Sequence, residues 1–426
     1  MMKRRNFCYQ TLLGLAAVNM PALIPGHAHA ALPGTVTWGG AYLLEDKPGF
    51  MPYTRQALQM NENTSPTGEK ANKTLLKEIR AHDWSSSGID LRTGLKKKQT
   101  RYGMVFGLAA EQVLATVYLE RLQATQYILR QIGYVTVYDI VDRRIVSCIA
   151  VRGRYLDDKP GPPDNSILPT LFFNLLANKN QSGSVARFMV EKIGDYPFEE
   201  KYQGKYFQVD PVIFTDLALL HAEQYGIDPE KYGDDIGFAA TTAFSENLKS
   251  PLVPFRKTSA VNRDMLSEMK IVAMTAESPL DTSLKLKPSD MGIEVTHQGW
   301  EFTVTQTSET RNQVALVTRI SIRMYDKVTS ETVYQQSFYG RQDFNELPQA
   351  GLSIDRKSRL FMLHETLLDR AFASISSEQM RGLVYDGEEI DVPGQKTFIQ
   401  ADAEDWNAYS KECVRVASML PRAFGS

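Results

Sequence analysis

Ser267-Glu268-Met269-Lys270 is the one short pattern in this chain that places a nucleophile beside an activator. In S-x-x-K a lysine amine lies against a serine and takes its proton, which frees the hydroxyl to attack an acyl carbon. The companion patterns of such enzymes are out of place. Ser289-Asp290 is followed by Met291 where asparagine is needed, and Lys257-Thr258-Ser259 precedes the serine instead of following it. A pattern with two fixed positions arises by chance in most chains of this length, so Ser267 and Lys270 are candidates and no more. Carboxylates scattered in sequence and joined in space are the other hydrolytic arrangement, and spacing alone cannot reveal them.

The remaining reactive residues point away from catalysis. Beyond the first thirty residues the histidines are His82, His221, His297 and His364, none with another histidine within five positions, so H-x-x-x-H metal spacing is missing. His364-Glu365 begins like a zinc-protease helix, but Leu368 stands where the second histidine belongs. His82-Asp83 are adjacent, and neighbours on a chain seldom form a base and its orienter. Each histidine reads as structural. No G-x-S-x-G elbow, P-loop, G-x-G-x-x-G or EF-hand loop occurs. Asp228, Asp234 and Asp235 with Gly233 and Gly237 lack the alternation of a calcium loop and read as a solvated loop. Asp386-Gly387-Glu388-Glu389 reads as a turn. No cofactor and no metal are expected.

The amino terminus reads as an address. Lys3, Arg4 and Arg5 precede a mildly apolar stretch from Thr11 to Pro25, and Ala28-His29-Ala30 is a small-residue cleavage site that would leave Ala31 first. The alternative is a buried amino-terminal helix. Arg4-Arg5-Asn6-Phe7 resembles a twin-arginine export signal, but the Ser or Thr before the arginines and the lysine after them are missing, so the general secretory route is preferred. Either route predicts a periplasmic or secreted protein. Cys8 precedes the apolar stretch and is not a lipid-acceptor site.

Cleavage removes three cations and takes the formal charge from −2 to −5. With 43% hydrophobic and 23% charged residues in 426, the composition is that of an ordinary globular protein, neither disordered nor a small disulfide scaffold. There is no basic excess to hold nucleic acid. No later apolar run is long enough to span a membrane as a helix. Cys148 and Cys413 remain; in an oxidising compartment they form either one disulfide joining the two halves or two separate buried thiols.

The elements that would position these residues follow from periodicity. Apolar residues at three- and four-residue spacing predict a helix over 108–132. Strand-like runs at 134–141 and 144–151 predict a hairpin turning at Asp142-Arg143. Prolines 160, 162 and 163 predict a surface loop over 157–165. Helices are expected at 167–179, 185–194 and 212–226, the last ended by Asp228-Pro229. Residues 250–262, with Pro251 and Pro254, give a boundary near 255 between parts 31–255 and 256–426. The second part reads as strands at 269–275, 293–297, 300–307, 313–326 and 331–340, then helices at 355–376 and 402–419. The fold class is α+β, with two parts that each pack helices on a sheet containing a hairpin.

The two parts echo each other. Residues 138–154 read YDIVDRRIVSCIAVRGR and residues 325–341 read YDKVTSETVYQQSFYGR. Tyr138-Asp139 matches Tyr325-Asp326, and Gly153-Arg154 matches Gly340-Arg341. The readings are an internal duplication or two ordinary hairpins. In either, the Asp can turn or cap the chain, and the Tyr can bury its ring.

The stretch from Val314 to Ser376 reads as long strand, Tyr-Asp-x-Val-Thr-Ser turn, return strand and amphipathic helix. In this it resembles periplasmic accessory domains of Gram-negative bacteria: the soluble domain of curli-secretion channel lipoproteins and the amino-terminal domain of TolB-like proteins. Ile320, Ile322 and Met324 take the apolar positions, and Asp326, Thr329 and Ser330 stand where the family often has Asp, Thr and Gly. The chain departs in that Ser330, in the absence of a lipid-acceptor cysteine, and in the absence of membrane strands after Gly340. The resemblance implies an α/β sandwich and a role in envelope assembly, and it supplies no catalytic residue.

Three functions follow as alternatives. The first is an exported, non-catalytic envelope protein acting in secretion or assembly on envelope or secreted proteins, or on further copies of itself. The second is an exported hydrolase using Ser267 and Lys270 or dispersed carboxylates. The third is a periplasmic protein binding a small ligand or glycan, which a pocket lined by Trp84, Trp300 or Trp406 would favour.

Overall fold

The protein is described by a computed structural model over residues 35–43, 51–63, 71–84, 90–92, 101–139, 144–177, 184–195, 205–250, 252–255, 268–273, 280–285, 289–308, 311–346, 356–392 and 395–420. Its first seven-stranded sheet has the order β2-β1-β3-β4-β5-β9-β8. These strands are β1 (Thr35–Leu43), β2 (Asp90–Arg92), β3 (Tyr102–Leu119), β4 (Ala124–Asp139), β5 (Arg144–Pro160), β8 (Glu268–Ala273) and β9 (Leu280–Lys285). The second sheet runs β13-β14-β12-β11-β10-β6, with β7 also on β10. It comprises β6 (Phe207–Val209), β7 (Ile213–Phe214), β10 (Met291–Ser308), β11 (Arg311–Asp326), β12 (Thr332–Glu346), β13 (Glu388–Val392) and β14 (Gln395–Ala401).

The helices divide between the sheets. Helices α1 (Pro52–Asn63), α2 (Ala71–Ala81), α3 (Leu168–Ala177) and α4 (Val185–Asp195) belong to the first part. Helices α5 (Asp216–Gln224), α6 (Pro229–Leu248), α7 (Arg356–Ser376), α8 (Glu378–Asp386) and α9 (Trp406–Met419) follow. Residues of α2, α3 and α4 form one core with one face of the first sheet, through Leu75, Phe172, Met189 and Phe106. The other face of that sheet (Ala110, Ile132, Tyr134, Cys148, Ala150) shares a core with α6, α7 and the second sheet. Helices α6 and α7 thus form a layer between two sheets. That explains why α6 is buried nearly all round from Ile236 to Ser245, a pattern that only a helix covered on opposite sides adopts.

The helix expected over 108–132 is instead the β3–β4 hairpin. Its apolar spacing fits both periods, because the sheet is covered on both faces near Ala109–Ala110 and strand alternation is lost there. The β-branched and aromatic residues Val113, Val117, Tyr118, Thr125, Tyr127 and Ile128 favour the strand. The hairpin turns through Glu120–Leu122, with Gln123 in the left-handed region at φ 47°. The loop expected at 157–165 starts later: β5 continues to Pro160, opposite Ala124. Asp228 and Pro229 do not end a helix but begin α6. The Asp228 side chain accepts from the backbone N–H of Glu230 and Lys231, and proline fits the first turn. Gly233, Asp234, Asp235 and Gly237 therefore lie in a helix, not a solvated loop. The strands expected at 293–297 and 300–307 are one strand, β10, bulged at Gly299 with φ 126°.

The sequence echo is a repeat of topology and register. In β3, Gly103 lies opposite Tyr138 of β4; in β10, Gly292 lies opposite Tyr325 of β11. In both pairs the tyrosine ring lies over the glycine and fills the space a Cβ would need. A bulge then follows at the same step, between Leu108 and Ala110 in one copy and between His297 and Gly299 in the other. On the next ladder Gly153 pairs with Gln131, and Gly340 pairs with Thr318. The leading parallel strand repeats too. In β1 a register shift separates Trp38 (opposite Met104) from Ala41 (opposite Phe106), whereas β6 and β7 make the same contacts on β10 as two short pieces. The boundary near 255 does not separate the sheets. Strands β6 and β7, before it, lie in the second sheet, and β8 and β9, after it, close the first.

Candidate interaction face

Register equivalence allows the same face of the two sheets to be compared. In the first sheet the face toward α6 and α7 carries alternate residues of β4 and β5. Ile132, Tyr134, Thr136, Tyr138, Cys148 and Ala150 are buried there. Three arginines, Arg130, Arg152 and Arg154, continue the two rows toward the strand ends. All three meet one carboxylate, Glu365 of α7. Arg130 donates from Nη1 at 2.6 Å and Arg152 from Nη1 at 2.9 Å, both to Oε1, and Arg154 donates from Nη2 to Oε2. Arg152 also pairs with Glu246 of α6 at 3.2 Å. Arg130, fully buried, bonds Gln112 of β3 and lies 4.1 Å over the Phe361 ring. Gln112 in turn donates to Asp235 of α6.

Burial alone would raise the Glu365 carboxyl, but the guanidinium groups of Arg154, Arg130 and Arg152 outweigh it and hold it down to about 2. Burial pushes Arg130 down from its ordinary value, opposed by Glu365 and Asp235. The network therefore works as an ionised clamp that holds the α6–α7 layer on the first sheet.

In the second sheet no helix among the described residues covers the equivalent face. Alternate residues of β11 (Val314, Leu316, Thr318, Ile320, Ile322, Met324) point into the core, and those between them are half-buried or exposed. The outward row carries Val317, Arg319, Ser321, Arg323 and Tyr325; on β12 it continues with Ser337, Tyr339 and Arg341, and on β14 with Phe398. Tyr339 and Phe398 touch edge-to-face at 6.3 Å. The three arginines bond neighbours on their own surface. Arg323 forks onto Glu294 at 2.8 and 3.2 Å, Arg341 bonds Asp343 at 3.0 Å, and Arg319 pairs with Asp402. Arg319 and Arg341 are about half exposed, at 49% and 48%. Arg341 is the register equivalent of Arg154.

The inner face of the second sheet gathers three histidines that are far apart in sequence. His297 follows β10's first half, His364 lies on α7 and His221 on α5. His364 bonds Tyr232 Oη at 2.7 Å and Leu360 O at 2.8 Å through Nδ1, and Thr318 Oγ1 at 2.9 Å through Nε2. His297 Nδ1 accepts from the Gly299 N–H at 3.0 Å, and His221 Nδ1 accepts from the Trp300 N–H at 3.1 Å. The His297 ring stacks on Phe214 at 5.4 Å and lies 4.5 Å from the His364 ring. Burial lowers His364 to about 3; burial first, then His364 and His221, holds His297 well below its ordinary value. Both rings are neutral near pH 7 and packed into the core.

Of the residues singled out by sequence, the repeat motif is placed most clearly. Asp326 Oδ1 accepts from the backbone N–H of Val328 and Thr329, which closes the β11–β12 turn, and Ser330 adopts the left-handed φ of 61° at the position where the resembled family often has glycine. The Tyr325 hydroxyl donates to Asp210 at 2.8 Å. Asp139 pairs with Arg101 at 2.8 Å, and Asp326 with Lys205 at 2.6 Å. Gly340 lets β12 approach Leu363 and Leu367 of α7.

Cys148 and Cys413 are free, buried thiols and form no disulfide with each other. Cys148 lies against Thr136 at 3.7 Å, and Cys413 sits on α9 near Tyr409 and Arg381. Burial raises them to about 12 and about 11. The three tryptophans lie apart from one another. Trp300 is buried in the core between the sheets, Trp84 packs on the first part's core, and Trp406 lies against Tyr385. Ser267 and residues 1–34, with Arg4, Arg5, Phe7, Ala28 and Ala30, lie outside the described residues. Lys270 falls on β8, where its side chain is not described. Glu365, Arg130 and Arg152 do not stand out in sequence. The available signal is two arginine-bearing rows at period two and a lone glutamate in the apolar run Leu363–Leu368.

No family model matches the chain, and neither does any curated protein. Several solved structures match part of the chain. A hypothetical protein of Chlamydia trachomatis is 12% identical over 41% of this chain and 96% of its own, with a TM-score of 0.23. A Xanthomonas campestris protein of family model DUF330 is 8% identical over 43% and 89%, with a TM-score of 0.24. A homolog of the neuraminyllactose-binding hemagglutinin from Helicobacter pylori is 11% identical over 44% and 95%, with a TM-score of 0.24. Among the described residues no helix is long and apolar enough to cross a membrane.

Proposed function

We propose that this chain is an exported, non-catalytic protein of the bacterial cell envelope that acts in assembly or secretion by binding other proteins. The observation that carries this reading is the open outward face of the second sheet. The same face of the first sheet is covered by two helices, and a sheet face bearing half-buried aromatic and exposed arginine side chains has the composition of a binding surface. The export-type amino terminus and the resemblance of 314–376 to periplasmic accessory domains support the compartment and the kind of work. The described histidines and the buried carboxylate Glu365 are engaged in packing and ion pairing, which leaves them to structure.

The test is expression of the full chain in a Gram-negative host, followed by fractionation and gentle affinity isolation. The expected result is a mature chain beginning at Ala31, found outside the cytoplasm and isolated with a defined envelope or secreted protein. A cytoplasmic, unprocessed chain recovered alone would refute the proposal. A covalent serine probe adds a second arm: labelling lost in Ser267→Ala would favour the hydrolase instead.

A further inference from the structure

The two sheets present one repeated surface in two states, and the covered state shows what the open one is shaped to receive. On the first sheet the face is filled by a helical pair, α6 and α7. One acidic side chain, Glu365, reaches all three arginines, and Phe361 lies under Arg130. Beside it lies the small Ala150, whose N–H at the edge of β5 donates to Ser245 Oγ at 3.2 Å; the corresponding edge at Ser337 is taken by the Asp402 N–H that follows β14. On the second sheet Ser337 occupies the register position of Ala150, Tyr339 that of Arg152 and Arg341 that of Arg154. Small residues again border an arginine, now with Tyr339, Phe398 and Val317 as the apolar part.

We infer that this outward face of β11, β12 and β14 docks an α-helical element of a different protein, one that directs a carboxylate at Arg341 and Arg319. This deepens the proposed function and rests on it. The charge logic follows the first sheet. A carboxylate entering beside Arg341 replaces Asp343, a neighbour on the same strand, as Glu365 serves Arg154 in place of any neighbour on β5. A second copy of this chain fits less well. Its own α6–α7 pair already lies between two sheets and is held there by Glu365, so it cannot serve a further face.

Site-specific photocrosslinking in cells making the full chain tests this. A benzophenone amino acid is placed at Val317 or Ser337, and at Arg187 as the control. The expected result is an adduct with another protein from positions 317 and 337 but not 187, mapped by mass spectrometry to a helix within a turn of an Asp or Glu. Its yield should fall at least about tenfold with Arg341→Glu plus Arg319→Glu, since like-charge contacts at an interface strongly disfavour the wrong pairing. Thermal melting checks that the variant folds; should it not, Arg341→Gln with Arg319→Gln is used and a smaller loss in the same direction is expected. Adducts with a second copy of the chain, adducts mapped to strands or loops, and adducts insensitive to the arginines would each overturn the inference. Absence of any adduct while affinity isolation still recovers a partner would overturn this surface and leave the broader reading standing; loss of both would remove the two together.

Discussion

Acidification from pH 7.5 to 5 should cost the folded protein about 4 kcal/mol at two histidines, His297 and His364, at about 1.4 kcal/mol per pH unit for each. Both are buried, and both have folded-state affinities for a proton below that of an exposed imidazole: His364 titrates at about 3 and His297 well below its ordinary value. In the unfolded chain each titrates near pH 6.5. Above that pH neither state binds the proton and the histidines contribute nothing to the pH dependence. Below it the unfolded chain takes up two protons that the folded protein refuses, so stability falls by about 1.4 kcal/mol per pH unit per histidine. The loss runs from 6.5 down toward the folded values, and at pH 5 it amounts to about 2 kcal/mol each. That is a large share of the roughly 5–15 kcal/mol typical of a folded protein.

Other groups move little or oppositely in this window. Glu365, held at about 2, begins to cost stability only below its unfolded value near 4.5. Glu111, raised mainly by burial, favours the folded state slightly as pH falls toward 4.5. Urea unfolding at pH 5, 6, 6.5 and 7.5 reads the effect, with His297→Phe and His364→Gln as partners. In the first variant the phenyl ring keeps the stack on Phe214, and in the second the amide keeps polar contact with Tyr232 and Thr318. Each variant should shrink the difference between pH 7.5 and pH 5 by about 2 kcal/mol, whatever its absolute stability. Variants that keep the wild-type pH dependence, or a wild type equally stable at pH 5 and 7.5, would refute the burial argument.

Other consequences follow from the same packing. Glu365→Gln should destabilise by about 3–5 kcal/mol in denaturant titration, because it leaves three arginines without their shared charge, and Glu365→Gln combined with Arg130→Met should recover part of that loss. Gly340→Ala should cost about 1–3 kcal/mol in the same assay, since the added Cβ meets Leu363 and Leu367, while Ser330→Gly should raise the melting temperature slightly by relieving a left-handed backbone. Cys148 and Cys413 should resist an alkylating probe in the native protein, react fully once it is unfolded, and run identically on reducing and non-reducing gels. Because α6 and α7 serve both sheets, tryptophan fluorescence and far-ultraviolet circular dichroism should report one shared unfolding transition; two separated transitions would show that the sheets unfold independently.

The fold is legible in sequence where one face of an element is wet. Helices α3 and α4 and strands β11 and β12 alternate or recur cleanly, because each buries one side and leaves the other more open. Periodicity misleads where burial is two-sided. Strands β3 and β4 are covered by helices of the first part on one face and by α6 on the other, which erases the alternation and leaves apolar residues spaced as a helix would space them. Helix α6 shows the converse at its start, where Asp228-Pro229 reads as a stop. The same dipeptide is a start signal when the residues after it are buried, and burial by a distant sheet is not visible in local sequence.

The outward face of the second sheet follows the same rule from the other side. Tyr325, Asp326, Gly340 and Arg341 stand out because they recur in Tyr138, Asp139, Gly153 and Arg154, and recurrence needs no knowledge of burial. What recurrence cannot show is that the two copies of the surface have opposite fates. Arg154 and Arg341 each follow a glycine and share one register, yet one is drawn to Glu365 and the other stays with Asp343 on its own strand. The difference is made by α6 and α7. These helices come from the second repeat and lie against the sheets of both, so the first sheet is covered on two sides and the second on one. A repeat built this way leaves one sheet face that nothing within the described residues covers, and its arginines turn instead to Asp343 and Asp402 beside them.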